Sequence, residues 1–202
     1  MLKNVIGKKG AELRKLANRY INLDLDEVAK FFKNPNFEYR YLGLSILVLK
    51  YEGGNGEVCE FALKYLEFFD HWRLSDMLAL KILGKSLLEN GNWEMLLQLA
   101  KSKNRFIRRT ALISTIPYIQ NSRNFDDVLE IVQYLLEDRD ILIQRATGRV
   151  LREIAKRNSN LITKFIEKNY KSIKRVTLRE AIKKYPKPLQ WKIERGVFKP
   201  TF

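Results

Sequence analysis

The sequence predicts an all-α protein, an α-solenoid in which helical pairs stack one after another. Apolar residues recur three and four positions apart, with no comparable strand alternation. Short polar segments divide the chain into helix-length pieces, and one pattern recurs about every 35 residues. With 202 residues and 46% hydrophobic content, the chain can bury one continuous core. We therefore expect a single domain over residues 1–202.

Clusters of glycine, asparagine and proline indicate where the helices end. They lie at 53–56, 90–92, 121–124 and 158–160, and the pair Pro186 and Pro188 follows. Between them, segments 58–69, 74–88, 125–136 and 142–154 place apolar residues at helical spacing. Roughly a dozen helices fit this division. Their period of about 35 residues favours about six HEAT-like helical pairs.

The period is most visible at one residue in the second helix of each predicted helical pair. Arg40, Asp76, Arg109, Arg145 and Arg179 follow one another at steps of 36, 33, 36 and 34 residues. If they share one register, stacking lines them along the concave face of the superhelix. Each arginine could tie one repeat to the next, or it could hold a phosphate in bidentate fashion. We predict that Arg40, Arg109, Arg145 and Arg179 bind DNA, together with Arg149, which follows Arg145 by four residues.

The positive charge of the chain is concentrated in its last third. The net charge is +15, and residues 139–202 contain 18 Lys and Arg against 5 Asp and Glu, which leaves 20 against 18 for residues 1–138. A solvated surface usually mixes both signs, so this imbalance indicates a polyanionic partner such as nucleic acid. No segment combines a basic face with a row of exposed large apolar residues, which argues against a membrane surface as the partner.

The composition argues against a metal, a cofactor or a disulfide. The chain has one cysteine, Cys59, and one histidine, His71, so neither an internal disulfide nor a zinc ligand set is possible. Residues 1–13 have no apolar signal region, and the longest uncharged apolar run, 41–49, is too short to cross a bilayer. We expect a cytoplasmic monomer, associated with the nucleoid in a bacterium or an archaeon.

The acid in the arginine row, Asp76, is the leading candidate for a functional site. Trp72 precedes it by four residues and therefore lies on the same helix face. A carboxylate beside an aromatic ring, in a basic groove, suits a cation that is attached to DNA better than it suits DNA itself. The alternative is structural: Asp76 caps a helix or pairs with Arg109, and Trp72 is a core residue.

N-alkylated purines in DNA are cations of this kind. Cleavage of their glycosidic bond builds positive charge on the sugar, and a fixed carboxylate would stabilise that charge and orient water. A tryptophan face would add cation–π stabilisation of about 1–2 kcal/mol when desolvated. On this interpretation Asp76 and Trp72 are the catalytic residues.

Four sequence blocks resemble a known family. HWRLSD (71–76), RFIRRTAL (105–112), IQRATGRVLREIAK (143–156) and LREAIKKY (178–185) occur in this order at repeat spacing. Together they resemble the AlkD-type DNA alkylation repair family, HEAT-like-repeat glycosylases that excise N3- and N7-alkylpurines from duplex DNA. The resemblance implies that Trp72 forms a wall of the lesion site, that Asp76 is the catalytic carboxylate and that Arg109 binds phosphate. It also implies action from outside the duplex, without a deep base pocket.

Arg149 departs from the family pattern, which has a second tryptophan in the block before VLRE. It follows Arg145 by one helical turn and could bind a phosphate, repel a cationic base or pair with Asp76. We predict a DNA glycosylase that hydrolyses the N-glycosidic bond of cationic N3- and N7-alkylpurines. Contact between Arg149 and Asp76 would favour the alternative, a noncatalytic duplex-DNA-binding solenoid. An outward-facing Arg149 would favour the glycosylase. A protein-binding scaffold remains a third alternative, which requires that duplex DNA does not bind.

Overall fold

The computed structural model describes residues 5–198, and this part of the chain is helical without any strand. The predicted domain also includes residues 1–4 and 199–202, which lie outside the described residues. The α-helices in chain order are α1 (Gly10–Ala17), α2 (Leu25–Phe32), α3 (Phe37–Glu52), α4 (Glu57–Lys64), α5 (Trp72–Leu78), α6 (Gly84–Asn90), α7 (Trp93–Ala100), α8 (Arg105–Asn121), α9 (Asp126–Leu135), α10 (Ile141–Ala155), α11 (Ser159–Lys168), α12 (Arg175–Ile182) and α13 (Lys187–Glu194).

The helices alternate between two layers, which confirms the predicted all-α repeat architecture. The first helices of the repeats are α2, α4, α7, α9 and α11, and the second helices are α3, α5 with α6, α8, α10 and α12. Each second helix packs against the next one along the chain. Helix α1 precedes the first pair and packs on α3, while α13 follows the last pair and packs on α12.

The polar clusters that predicted the helix ends act as caps. Asn92, in the cluster 90–92, accepts a hydrogen bond from the Met95 backbone N–H at the start of α7. Asn158, in the cluster 158–160, accepts one from the Leu161 backbone N–H at the start of α11. Gly91 ends α6 in the left-handed conformation, with φ of 64°. The short polar residues therefore define the repeat boundaries by hydrogen bonding to free backbone N–H groups.

The apolar core is continuous along the stack. One cluster of buried residues extends from Val5 to Leu83, a second begins at Ala79 and covers the later repeats, and Leu99 of α7 packs against both. Close helix contact in the second cluster depends on Gly148, because a Cβ there would lie 2.6 Å from the Thr177 carbonyl oxygen on α12. The second helices can thus lie close enough to share one face.

A π-helical turn, Ala79–Leu83, joins α5 to α6. The sequence predicted one helix over 74–88, and the π turn interrupts that helix shortly after Asp76. At its end, a Cβ on Gly84 would lie 2.7 Å from the Ser114 carbonyl oxygen and from Pro117 Cγ. Close packing against α8 therefore coincides with the irregular turn. Such π turns are rare and often lie at functional sites.

The predicted register is wrong at Arg40. Counted from the N-cap residue of each second helix, the fifth residue is Tyr41, Asp76, Arg109, Arg145 or Arg179, whereas Arg40 is the fourth. Counting along the sequence missed this because the connecting segments differ in length by one or two residues. We call the face that these five residues mark the second-helix face.

Arg40 belongs instead to a set of residues that tie each second helix to the preceding loop. Its Nη1 donates to the carbonyl oxygens of Asn34 and Pro35, both at 2.9 Å, and its Nη2 lies 2.9 Å from the Asp70 carboxylate. Arg108 makes the same type of contact with carbonyl oxygens five and six residues earlier. The structural interpretation, a guanidinium that joins neighbouring segments, therefore describes Arg40.

Candidate functional site

Asp76 is buried on the second-helix face, where Arg109 of α8 holds its carboxylate. Arg109 Nε donates to Asp76 Oδ1 at 2.7 Å, and Arg109 Nη2 donates to Asp76 Oδ2 at 3.0 Å. Arg109 is itself buried, and its Nη1 donates to the carbonyl oxygen of Leu142 on α10 at 3.0 Å. The bidentate pair thus joins three consecutive repeats and fixes the orientation of the carboxylate.

Arg149 of α10 makes a further contact with the same carboxylate. Its Nη1 donates to Asp76 Oδ2 at 3.1 Å. The Arg149 side chain is 32% exposed, against 9% for the Arg109 side chain, so Arg149 is the partner that solvent and ligands can reach. Two guanidinium groups and one carboxylate leave the cluster with a net charge of about +1. The structure therefore confirms one of the three possibilities predicted for Arg149, its pairing with Asp76.

Trp72 is the first residue of α5 and is 41% exposed, so the core interpretation of this residue is wrong. The Arg73 guanidinium lies over its ring, 5.4 Å from the centroid, and the His71 ring centroid lies at 5.6 Å. An indole one helical turn before Asp76 therefore remains available to a ligand. The pairing of Asp76 with Arg109, which the same structural interpretation predicted, is confirmed.

His71 caps α5 and thereby positions Trp72 and Asp76. Its Nδ1 accepts a hydrogen bond from the Arg73 backbone N–H at 3.1 Å, which requires a neutral ring nitrogen. Burial lowers the pKa of His71 below its ordinary value of 6.5, Arg73 and Arg40 lower it further, and Asp70 opposes them. The cap is therefore present when the ring is neutral.

We expect the protein to become less stable as pH falls, because protonation of His71 removes its helix cap. Because the pKa is lower in the folded protein, the unfolded chain binds the proton first as pH falls. The stability that the neutral ring contributes is fully present above 6.5 and is lost as pH falls through the folded-state pKa. His71→Asn keeps a capping acceptor but does not titrate. Urea unfolding of both proteins between about pH 5 and pH 8 should show a steeper loss for wild type; parallel profiles would contradict the assignment.

The remaining members of the predicted DNA-binding set lie apart from Asp76. Arg145 is exposed on α10, and within residues 5–198 it has no hydrogen-bond or ion-pair partner. The Arg179 side chain is 70% exposed on α12, with its Nε 3.7 Å from the Glu194 carboxylate. The structure thus brings Asp76, Arg109 and Arg149 together and leaves the side chains of Arg145 and Arg179 exposed to solvent. The catalytic and DNA-binding roles of these residues remain predictions.

Sequence reasoning missed Arg14 and Tyr41. Arg14 Nη1 of α1 donates to the Tyr41 hydroxyl at 2.6 Å, and Tyr41 is buried at the first position of the second-helix face. A cavity of about 520 Å³ lies beside this pair and is also lined by Asp76. The correct register would have placed Tyr41 in line with Asp76, but nothing in the sequence pattern indicated Arg14.

Among residues 5–198, no group of three or more His, Cys, Asp or Glu side chains is placed to hold a metal ion. Within the same residues, no helix is both long and apolar enough to cross a membrane.

The fold and the site define a helical-repeat protein with a carboxylate set among arginines on its second-helix face. The model of one family, described as DNA alkylation repair enzyme, matches residues 3–185. The chain therefore belongs to the DNA alkylation repair enzyme family, as the sequence blocks predicted. No curated protein matches it by sequence.

Solved structures share the fold at low sequence identity. A predicted DNA alkylation repair enzyme from Enterococcus faecalis is 17% identical, with a TM-score of 0.73 over 88% of this chain and 84% of that one. AlkD2 from Streptococcus mutans is 19% identical, with a TM-score of 0.66 over 91% and 93%. The smu.31 protein from Streptococcus mutans UA159 is 21% identical, with a TM-score of 0.64 over 87% and 92%. At these identities the likeness establishes the fold.

Proposed function

We propose that this protein binds duplex DNA through its second-helix face and that its resting state does not cleave the glycosidic bond. The observation that carries this proposal is the hydrogen bond from Arg149 to Asp76, at 3.1 Å. The carboxylate already accepts three hydrogen bonds from two guanidinium groups. Little of its charge remains for a cationic lesion, whereas the cluster as a whole attracts phosphate.

The size of the ion-pair energy supports DNA binding over glycosidic bond cleavage. A pair of unit charges at about 4 Å is worth about 4 kcal/mol at an effective dielectric of about 20, and less where solvent reaches Arg149. That is similar to the contribution of one preorganised electrostatic group in an enzyme, about 3–4 kcal/mol. The contact of Arg149 with the carboxylate therefore offsets much of the transition-state stabilisation that Asp76 could provide.

The second candidate function is a DNA glycosylase that hydrolyses the N-glycosidic bond of cationic N3- or N7-alkylpurines. Two observations favour it: Trp72 is exposed one turn before Asp76, and Arg149 holds the carboxylate through a single hydrogen bond with a side chain that is 32% exposed. A DNA phosphate could draw Arg149 away from Asp76. The carboxylate would then face the developing charge on the sugar, with the Trp72 ring beside the base.

Two measurements on wild-type protein separate these functions. Duplex binding is followed by fluorescence anisotropy across a salt series, and release of 7-methylguanine from methylated duplex is followed under single-turnover conditions. Salt-sensitive binding without release supports the first proposal. Release at a rate well above that of protein-free DNA supports the glycosylase. Failure to bind duplex at low salt would contradict both and favour a protein-binding scaffold.

Removal of the Arg145 side chain tests whether the second-helix face contacts phosphates. Arg145→Ala is expected to weaken duplex binding equally for all sequences and to reduce the slope of log K against log salt by about 1, because one phosphate contact is lost. Lys164→Ala is the matched control, since it removes one exposed charge from the first helix α11. An equal effect of both variants would mean that binding depends on total charge and not on this face.

A further inference from the structure

The last helix, α13, lies beyond the residues that match the family model, which end at residue 185. It is nevertheless fixed to the rest of the fold. Ile193 is fully buried. The Glu194 carbonyl oxygen accepts hydrogen bonds from the Tyr170 hydroxyl at 2.6 Å and from Arg175 Nη1 at 2.9 Å. The side chains on the outer side of α13 therefore hold a defined position.

Helix α13 runs antiparallel to α12 and lies at one end of the second-helix face. Gln190 Nε2 donates to the Tyr185 carbonyl oxygen at 2.6 Å, just after the end of α12. The Glu194 carboxylate lies 3.7 Å from Nε of Arg179, the last member of the second-helix face. Trp191 precedes Glu194 by three residues and therefore lies on the same side of α13. An aromatic side chain thus adjoins the end of this face.

Trp191 lies between two cations on the surface of α13. Lys187 and Arg195 are exposed and lie four residues before and four residues after it. The Arg195 guanidinium lies over the Trp191 ring, 3.9 Å from the centroid. Trp191 is still 56% exposed, so the opposite face of the indole is open to solvent. We call Lys187, Trp191 and Arg195 the α13 stripe, which is about 12 Å long at 1.5 Å per residue.

The α13 stripe has the chemistry of a site for single-stranded DNA. Sites of this type combine cations, which hold the backbone, with an aromatic side chain on which a base stacks. In an intact duplex the neighbouring bases cover both faces of each base, so only an unpaired base can offer a face to Trp191. A helix that lies in a membrane surface exposes a row of large apolar side chains, whereas the α13 stripe has one.

We propose that the α13 stripe binds single-stranded DNA that adjoins the bound duplex. An unpaired base stacks on the open face of Trp191, and Lys187 and Arg195 hold the phosphates on either side of it. The proposal rests on the proposed duplex binding and names the kind of DNA that the protein prefers, a junction between duplex and single strand. No base leaves the duplex in this arrangement, because the strand is already unpaired when it binds.

The test compares a blunt duplex with the same duplex carrying about ten unpaired thymidines at a 3′ or a 5′ end, a length within the range of single-strand sites. Fluorescence anisotropy is expected to show about tenfold tighter binding of at least one extended duplex. This gain corresponds to about 1.4 kcal/mol, which one base–aromatic stack can supply. No gain from either extension, with the blunt duplex still bound, would overturn the junction site and leave duplex binding intact. Absence of binding to every duplex would overturn the proposed function itself.

An extension built from abasic sites separates stacking from charge. It has the same number of phosphates as the thymidine extension and no bases. We expect it to give little of the tenfold gain, because nothing can stack on Trp191. An equal gain from the two extensions would overturn the stacking of a base on this residue.

A pair of variants locates the stacking site, with the ratio of extended to blunt duplex affinity as the readout. Trp191→Ala is expected to remove the tenfold gain, and Trp191→Phe should recover part of it. Tyr134→Ala is the matched control, because Tyr134 is also 56% exposed but lies on the first helix α9. Circular dichroism verifies that the variants fold. A full gain in Trp191→Ala, or an equal loss in Tyr134→Ala, would overturn the assignment to α13.

The cation of the α13 stripe that does not contact Trp191 tests the phosphate contacts. Lys187→Ala is expected to reduce the slope of log K against log salt for the extended duplex by about 0.7, the value for one phosphate of a single strand. Lys168→Ala removes an exposed charge at the end of α11 and should leave the slope unchanged. Equal slopes for the two variants would mean that the extension responds to total charge and not to the α13 stripe.

Two further ligands test other occupants of the α13 stripe. Free oligothymidine is expected to bind more weakly than the extended duplex, because it lacks the duplex contacts; equally tight binding would overturn the junction. Phosphatidylglycerol vesicles are expected not to bind. Vesicle binding that Trp191→Ala removes would assign the stripe to a lipid surface and overturn its assignment to DNA.

Discussion

Arg149→Trp is expected to increase the single-turnover release of 7-methylguanine about 100-fold over wild type. The substitution removes the guanidinium that donates to Asp76 Oδ2 and supplies the aromatic wall that the family pattern has at this position. Each tenfold change in rate corresponds to about 1.4 kcal/mol, so the expected gain requires recovery of about 3 kcal/mol of the electrostatic contribution of Asp76. The measurement uses saturating protein, so that any loss of duplex affinity does not enter the rate.

Two controls separate the effects of Arg149→Trp. Arg149→Leu removes the guanidinium without adding an aromatic ring, so the difference between the two variants measures stacking on the base. Asp76→Asn in the Arg149→Trp background should lower release about 100- to 1000-fold if the carboxylate stabilises the transition state. If Arg149→Trp binds methylated duplex and releases no more base than wild type, Asp76 has no catalytic capacity in this chain.

Asp76→Ala is expected to lower the free energy of unfolding by about 3–5 kcal/mol, because it leaves a buried guanidinium without its charge partner. Arg109 is 8% exposed, and its Nε and Nη2 donate only to Asp76 among the described residues. Arg149 can turn toward solvent and contributes less to the cost. For a chain of this size, each kcal/mol changes the Tm by about 2–4 °C, so the midpoint should fall by about 10 °C.

Asp70→Ala provides a matched comparison for this stability effect. Asp70 also pairs with an arginine, Arg40, but its side chain is 54% exposed, and an ion pair of this kind is worth about 0–1 kcal/mol. The double variant Asp76→Leu with Arg109→Met should recover part of the loss, since apolar side chains can replace a buried ion pair. Equal Tm values for Asp76→Ala and Asp70→Ala would show that burial does not govern the Asp76 pair.

Local sequence patterns determined the elements of the fold. The helical spacing of apolar residues identified the helices. The polar clusters between them identified the ends, because side chains such as those of Asn92 and Asn158 cap free N–H groups within a few residues of themselves. The segment before α6 shows where this reasoning stops. The π turn coincides with close packing of Gly84 against Ser114 and Pro117, and the helical spacing of apolar residues does not reveal it.

The candidate site was identified only in part. Asp76 was found because it is the acid at a position where other repeats have arginine, and its pairing with Arg109 was among the predicted alternatives. Arg40 was placed in the same row because the sequence pattern does not locate the start of each helix to within one residue. Arg14 was missed because helix α1 packs on α3 outside the repeat period.

The sequence by itself determined the helical repeats, their caps, the family and the position of one acid among basic residues. Only the tertiary structure decided which side chains share the site. Arg149 lies 73 residues from Asp76, and its hydrogen bond depends on the stacking of α10 on α8 and of α8 on α5. Hydrophobic period fixes which face of a helix is buried, but the reach of one guanidinium to one carboxylate depends on how neighbouring helices are placed to within an ångström or so. That placement is set by close contacts such as Gly84 and Gly148, which no periodicity encodes.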